Sequence, residues 1–362
     1  EWHTGTAGLG YSNLTVTGKA TIGDGSSGAN TATLNCHSGT ISIGASYTAF
    51  YALQVKRGGT FVGGSGQHTF GSFSNEDHAD SITTFTTHAN GTTLSSEYSS
   101  AGANGYALAV YDDSTFDDAD GLVVYAGPSA DSYLSGKTLH NVTVNTSGNT
   151  IQQQNTHTFN GNLTITAGTW DTHGTENNTL TVAGATDVTG TLTLNNSAVS
   201  LGALRCNSGA VLSQSSNGTL ELTSATAANA AGFGDNYSLK NDDGTSDINF
   251  GGTITVSAGT YFLGGTAPLA ASVINNLIVN DSHYWVGSLT VGGYMTINAS
   301  KHWQTYGSAT GGSRAIKVTG DLTINGQLTT YKANELDLAA EFGSLTIGSG
   351  GTYNATSGTT TI

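Results

Sequence analysis

A short phrase recurs at a fixed interval in this chain. Leu163-Thr164-Ile165-Thr166-Ala167-Gly168-Thr169-Trp170 returns as Ile254-Thr255-Val256-Ser257-Ala258-Gly259-Thr260-Tyr261, and again as Leu345-Thr346-Ile347-Gly348-Ser349-Gly350-Gly351-Thr352-Tyr353. Both intervals are 91 residues (254 − 163 and 345 − 254). A fourth, less regular copy, Leu53-Gln54-Val55-Lys56-Arg57-Gly58-Gly59-Thr60-Phe61, lies 110 residues before the first (163 − 53). Each copy reads as a strand, a glycine turn and a Thr-aromatic step that opens the next strand. Apolar residues two apart suit a strand with one buried face. A unit this short cannot close a core alone, so repeated units stack on their neighbours.

A second phrase type is strand, glycine, strand. It occurs as Leu180–Gly184 followed by Val188–Leu194, and as Ile316–Gly320 followed by Leu322–Leu328. Val182-Ala183-Gly184-Ala185 runs into the next strand with no Asn-Gly or Asp-Gly hairpin turn, so the glycine reads as a corner of a coil. The expected fold is all-β, a right-handed parallel β-helix (β-solenoid) with short strands and glycine corners. At roughly 20 residues per rung the chain would make about 18 rungs, and 91 residues would span four or five of them. Leu163, Ile165, Ile254, Val256, Leu345 and Ile347 are expected to face the core, with Trp170, Tyr261 and Tyr353 at equivalent places. The rival architectures are an antiparallel sandwich and a β-propeller, whose blade period of about 40–45 residues is near half of 91. Helix signals are confined to 225–231 and 334–341, the latter with Asn334 as an N-cap. Neither could supply the crossovers of a doubly wound α/β fold.

Composition fits a solenoid better than an ordinary globule. Glycine occurs 51 times in 362 residues, about twice the usual ~7 %. Charged residues are 10 %, against a usual ~25 %, so Thr, Ser, Asn and Gly must make up most of the surface. The net charge of −15 repels nucleic acid and anionic membranes. No apolar run approaches the ~20 residues of a membrane helix. Cys36 and Cys206 are too far apart in sequence for a metal-binding spacing and read as buried free thiols. Neither nucleic acid nor direct membrane insertion is expected.

Three stretches differ in regularity: N-terminal rungs over 1–66, an irregular acidic segment over 67–136 suited to a lateral insertion, and regular rungs over 137–362. A polysaccharide-cleaving enzyme on such a scaffold needs carboxylates from neighbouring rungs on one face. The candidates are Glu76, Asp77, Asp80, Asp112, Asp113, Asp117, Asp118 and Asp120, and a solvated acidic loop is the favoured explanation of them. Their clustered oxygens suit Ca²⁺ better than any other ion, with Asp112, Asp113, Asp117, Asp118 and Asp120 as its ligands. A second acidic loop, 241–247, is weaker. The ten His residues are scattered and make no zinc motif. His157 reads as a rung residue, not a catalyst. The expected set therefore contains no catalytic and no cofactor-binding residue. Asn-x-Ser/Thr triplets at Asn13, Asn141, Asn162 and Asn298 lie in or beside strands and carry no glycosylation signal.

At Asn141–Val144, Phe159–Trp170 and Leu180–Leu194 the chain resembles the parallel β-helix proteins of phage tail spikes, capsid and tail fibres, and bacterial adhesins. The likeness is one of composition and period and covers 1–66 and 137–362. It carries over no family's catalytic residues. It implies a structural virion component at the virion surface, a fibre, spike or capsid-decorating protein contacting the host surface or its glycans. The alternative is a secreted or cell-surface adhesin, and the lower alternative is a polysaccharide-degrading enzyme. Phage fibres of this class are commonly trimeric, so self-association or stacking on other surface proteins is expected. Adhesins carry a secretion signal and an anchor; these residues show neither, which favours the virion component. The final Thr359–Ile362 reads as the start of another strand, so a continuation or a covering subunit is expected there.

Overall fold

The computed structural model describes residues 5–8, 13–25, 31–46, 49, 51–96, 105–223, 237–241, 247–257, 261–264, 273–285, 289–305, 315–330, 339–355 and 359–362. The described residues are all-β, with no helix, and form a parallel β-solenoid of about 12 turns. By internal contacts the chain divides into two compact units, Glu1–Leu180 and Thr181–Ile362.

In the first unit the strands stack in walls. One wall is a five-stranded sheet of Gly5–Gly8, Ala32–Asn35, Gly59–Gly64, Ile82–Thr86 and Thr115–Asp117, every pair parallel. A second wall runs through Leu14, Ile41, His68, Thr92, Val123, Val142 and Leu163, each in register with the next. A third runs from Ala20–Ile22 through Leu53–Val55 and Phe73–Asn75 to Tyr106–Val110 and Ala130–Leu134. The strands of 67–136 thus lie in the same stacks as those before and after them.

The alternation seen in sequence sets which side each residue faces. Leu163 and Ile165 are fully buried while Thr164 is half-buried on the outer side. The outer column of the second wall is Thr15, Ser42, Thr69, Thr93, Val124, Thr143 and Thr164. β-branched Thr satisfies both demands there, a strand backbone and a wet face.

The second unit repeats the plan. Leu220, Ile254, Leu277, Met295, Leu322 and Leu345 form one parallel column. Ile254 and Leu345 are therefore four turns apart, which explains the 91-residue interval within this unit. Thr191–Asn195 pairs parallel with Val211–Gln214 and not as a hairpin. Every pairing with a resolved register is parallel, so neither the sandwich nor the propeller describes these strands.

The glycine corners are visible directly. The strand Ala315–Ile324 pairs with Leu289–Val291 through its first half and with Met295–Ile297 through its second, breaking register at Thr319–Gly320. In Leu163–Asp171 the corner is Gly168, at φ +86, where an added Cβ would lie 1.8 Å from Thr146 Oγ1. Asparagine does a second job at corners. The Asn13 side-chain oxygen accepts from Thr40 N at 3.0 Å, Asn141 from Asn162 N at 3.0 Å, and Asn276 from Tyr294 N at 3.1 Å. Each of these bonds ties one turn to the next and satisfies an amide that has left the ladder.

Three expectations need correction. Turns are longer than assumed: the register interval is 18 residues from Leu277 to Met295 but 36 from Val211 to Asp247. Intervals of this length reduce about 18 turns to about 12. The fourth, less regular copy is a separate case: Leu53 pairs with Ala20 and Phe73 while Leu163 pairs with Val142, so the two lie on different walls. Leu345 is half-exposed and Ile347 is 50 % exposed. Their strand pairs with Asp321–Ile324 on one side, and on the other only Ala340 and Glu341 are paired, with Thr360 and Thr361. Finally, Ala339–Glu341 open a strand, Ala339–Ile347, instead of ending a helix. The other helix candidate, 225–231, and residues 334–338 lie outside the described residues. Cys36 and Cys206 are free and fully buried as expected, and burial pushes the Cys36 thiol up to about 12.

Candidate functional site

Two corners of the first unit and its interior bring titratable side chains together. At the first corner three successive turns contribute. Arg57 follows the strand Leu53–Val55, Glu76 to Asp80 follow Phe73–Asn75, and Asp112 and Asp113 follow Tyr106–Val110. Those strands are stacked in register, so the residues leaving them are stacked too. The Arg57 N–H donates to Glu76 Oε2 at 2.8 Å, and its Nε lies 3.8 Å from Asp80 Oδ2. The Asp80 N–H donates to His78 Nδ1 at 3.1 Å, which requires that nitrogen to be unprotonated. The Asp113 N–H donates to Asp77 Oδ1 at 3.1 Å. One carboxylate oxygen each from Asp77, Asp112 and Asp113 falls within 4.8 Å of the others, and all three residues are exposed.

The second corner takes the rest of the acidic loop. Asp118 is buried and its carboxylate accepts the His140 N–H. Burial pushes the Asp118 carboxyl above the usual carboxylate range, partly offset by that bond. Asp120 lies 3.6 Å from His140 Nδ1, and Asp117 accepts the Ala119 N–H at 2.7 Å. The intervening strand Thr115–Asp117 belongs to the five-stranded wall and carries the chain to a different corner. So the five carboxylates expected to share one ion are divided: Asp112 and Asp113 join Asp77, while Asp117, Asp118 and Asp120 stay with His140. Asp77 was visible in sequence as a candidate carboxylate, but its partners depend on which turns are neighbours. The second acidic loop, 241–247, lies largely outside the described residues.

The interior holds a group that resembles a catalytic pair but cannot act as one. His157 Nδ1–H donates to the Asn155 carbonyl at 2.9 Å, leaving Nε2 to accept from Ser132 Oγ at 2.9 Å. The Tyr125 hydroxyl lies 2.7 Å from the same oxygen and donates to it. All three side chains are fully buried. Trp170 packs its edge on His157 with centroids 5.6 Å apart and donates Nε1–H to Gln153 at 3.2 Å. Burial holds His157 down at about 4, so the ring is neutral. A nucleophile needs a substrate beside it, and no solvent reaches Ser132. The expectation that His157 is a rung residue agrees with this geometry.

Two concavities complete the inventory among the described residues. One, of about 740 Å³, opens beside the five-stranded wall, and one of about 250 Å³ lies in the second unit near Lys301, His302, Gln327 and Thr352. No helix among the described residues is long and apolar enough to cross a membrane. Compared with known protein families, with curated proteins and with solved structures, the chain finds no match.

Proposed function

We propose that this chain is a structural component of a phage virion, a fibre, spike or capsid-decorating protein displayed at the virion surface. The observation that carries this reading is the division between interior and corners. In both units the interior is filled by register-matched columns, and the Ser132–His157 pair within it is sealed. Chemistry-bearing groups reach solvent outside that interior, at corners such as the one bearing Asp77, Asp112 and Asp113, and on outer strand faces, as in the Lys317–Glu341 pair. Such a stack offers little backbone for local opening, and only 10 Lys and Arg residues offer few tryptic sites. These properties suit a part that must persist outside a cell. Self-association, with a trimer as the leading form, or stacking on other virion proteins follows from the same reading. A cell-surface adhesin needs the same physical properties and is the alternative.

The Asp77, Asp112 and Asp113 carboxylates favour one further reading, a bound Ca²⁺ at the first corner. Three exposed oxygens fall short of the usual six to eight ligands, so water or a partner would supply the others. A polysaccharide-degrading activity would also use this corner, with Arg57 and Asp80 beside it. Release of sugar ends from surface polysaccharides, lost in Asp113→Asn, would establish the enzyme in place of the structural part. The direct test of the main reading is imaging of purified particles with a labelled antibody to this chain. Regular decoration of the particle is expected. Label confined to cell envelopes would replace it with the adhesin.

A further inference from the structure

The 740 Å³ groove of the first unit is used by nothing described so far. It lies where three adjacent strands of the five-stranded wall end, Ala32–Asn35, Gly59–Gly64 and Ile82–Thr86. Its volume falls within the range of about 300–1,000 Å³ typical of small-molecule sites. The lining includes His37, Ser38, Val62, Ser65, Thr84 and Thr87. His37, Ser38, Ser65 and Thr87 are exposed, and Val62 and Thr84 are half-buried on the outer face.

Three features define what would fit. First, polar capacity is unused. Thr87 Oγ1 donates to the Gly64 carbonyl at 3.3 Å. Among the described residues, the side chains of His37, Ser38, Ser65 and Thr84 take part in no intramolecular hydrogen bond. Three hydroxyls and an imidazole can both donate and accept. Second, Val62 and the threonine methyls give the same groove an apolar floor. Third, the lining contains no carboxylate, ammonium or guanidinium, while the whole chain carries −15. An acidic ligand would find no lysine or arginine there and a repelling field around it. The concavity is built by the backbone: Gly64, at φ +70, brings the chain so close to the turn before it that a Cβ would lie 1.8 Å from the His37 carbonyl.

A ligand with hydroxyls around its edge, C–H faces and no charge matches all three. We infer that this groove binds a neutral oligosaccharide, two or three sugar rings long, laid against Val62 and Thr84. The inference rests on the surface-display reading and adds to it the site and the class of glycan.

The test is titration of the whole 362-residue chain, by saturation-transfer NMR and calorimetry, with neutral oligosaccharides of hexose and N-acetylhexosamine type and with uronate- and sialate-containing counterparts. At least one neutral oligosaccharide should bind, with acidic counterparts weaker. Thr84→Trp should fill the groove and weaken binding at least about tenfold, and Thr84→Val or Ser65→Ala about threefold, as the loss of one hydrogen bond implies. Should Thr84→Trp fail to fold by circular dichroism, Ser38→Trp on the exposed turn reads the same thing. Failure of every neutral sugar to bind, a preference for acidic sugars, or full affinity in a folded Trp variant would each overturn the inference. The measurement uses the isolated chain, so it fails or succeeds independently of where imaging places the protein.

Discussion

Two columns, one in each unit, differ in what they bury. In the second unit the column Leu220, Ile254, Leu277, Met295, Leu322 is aliphatic throughout, and each member is at most 1 % exposed. In the first unit the column Leu14, Ile41, His68, Thr92, Val123, Val142, Leu163 is interrupted by an imidazole and a hydroxyl, both fully buried. His68 Nε2–H donates to the Gly63 carbonyl at 2.9 Å, but His68 Nδ1 and Thr92 Oγ1 find no hydrogen-bond partner. Around them Phe61, Phe70, Phe73 and Phe85 pack edge to face or stacked, with neighbouring centroids 5.0–6.1 Å apart. The same backbone plan therefore tolerates both kinds of column, and the second unit buries polar groups elsewhere, at Gln214, Ser238 and His283. Parallel ladders hold the strands in both, and the side chains decide how each unit responds to acid and to truncation.

The largest expected effects come from truncating the core. Trp170→Ala in the first unit removes a fully buried indole, three ring contacts and the bond to Gln153, and should cost about 3–5 kcal/mol. Leu277→Ala in the second should cost about 2–5 kcal/mol, by the cavity it leaves. Denaturant unfolding measures both. Equal effects on the midpoint and the slope of one transition would show that the units unfold together.

Acid should separate the units. Burial lowers both His68 and His157 from 6.5 to about 4. Each must be neutral in the folded state, while the unfolded chain protonates it below 6.5. Their contribution is thus complete above pH 6.5 and is lost as pH falls from 6.5 towards 4. The loss reaches about 3 kcal/mol for each histidine once the pH is below 4. His157→Phe should flatten the stability–pH curve of the first unit between these values. Unchanged steepness would remove His157 from the account.

Smaller changes refine the comparison. Ser132→Ala leaves the Tyr125 hydroxyl and His157 Nε2 buried without their shared partner and should cost about 1–3 kcal/mol. Thr92→Val replaces an unpartnered buried hydroxyl by a methyl of the same shape. It should raise stability by about 1 kcal/mol, making the first unit's column more like the second's.

Much of the fold was legible because it depends on period. The phrases at 254 and 345 align because one wall of the second unit passes through both. Burial of Leu163, Ile165, Ile254 and Val256 followed from alternation alone. What alternation cannot give is the number of residues in a turn, so the expected turn count is too high. The corner carboxylates suffered from the same gap. Asp112 to Asp120 are neighbours in sequence, but a strand between them sends them to two corners and brings Asp77 to one. The groove was invisible because His37, Ser65 and Thr84 belong to three turns, and no local pattern links them.

Hydrogen exchange of the backbone amides at pH 7 and again near pH 4.5, corrected for intrinsic rates, tests the account most directly. At pH 7 the ladder amides of both units should be protected. At the lower pH the turns around His68 and His157 should lose protection, while the strands bearing Leu277, Met295 and Leu322 keep theirs. Equal loss in both columns, or unprotected ladder amides at pH 7, would contradict it.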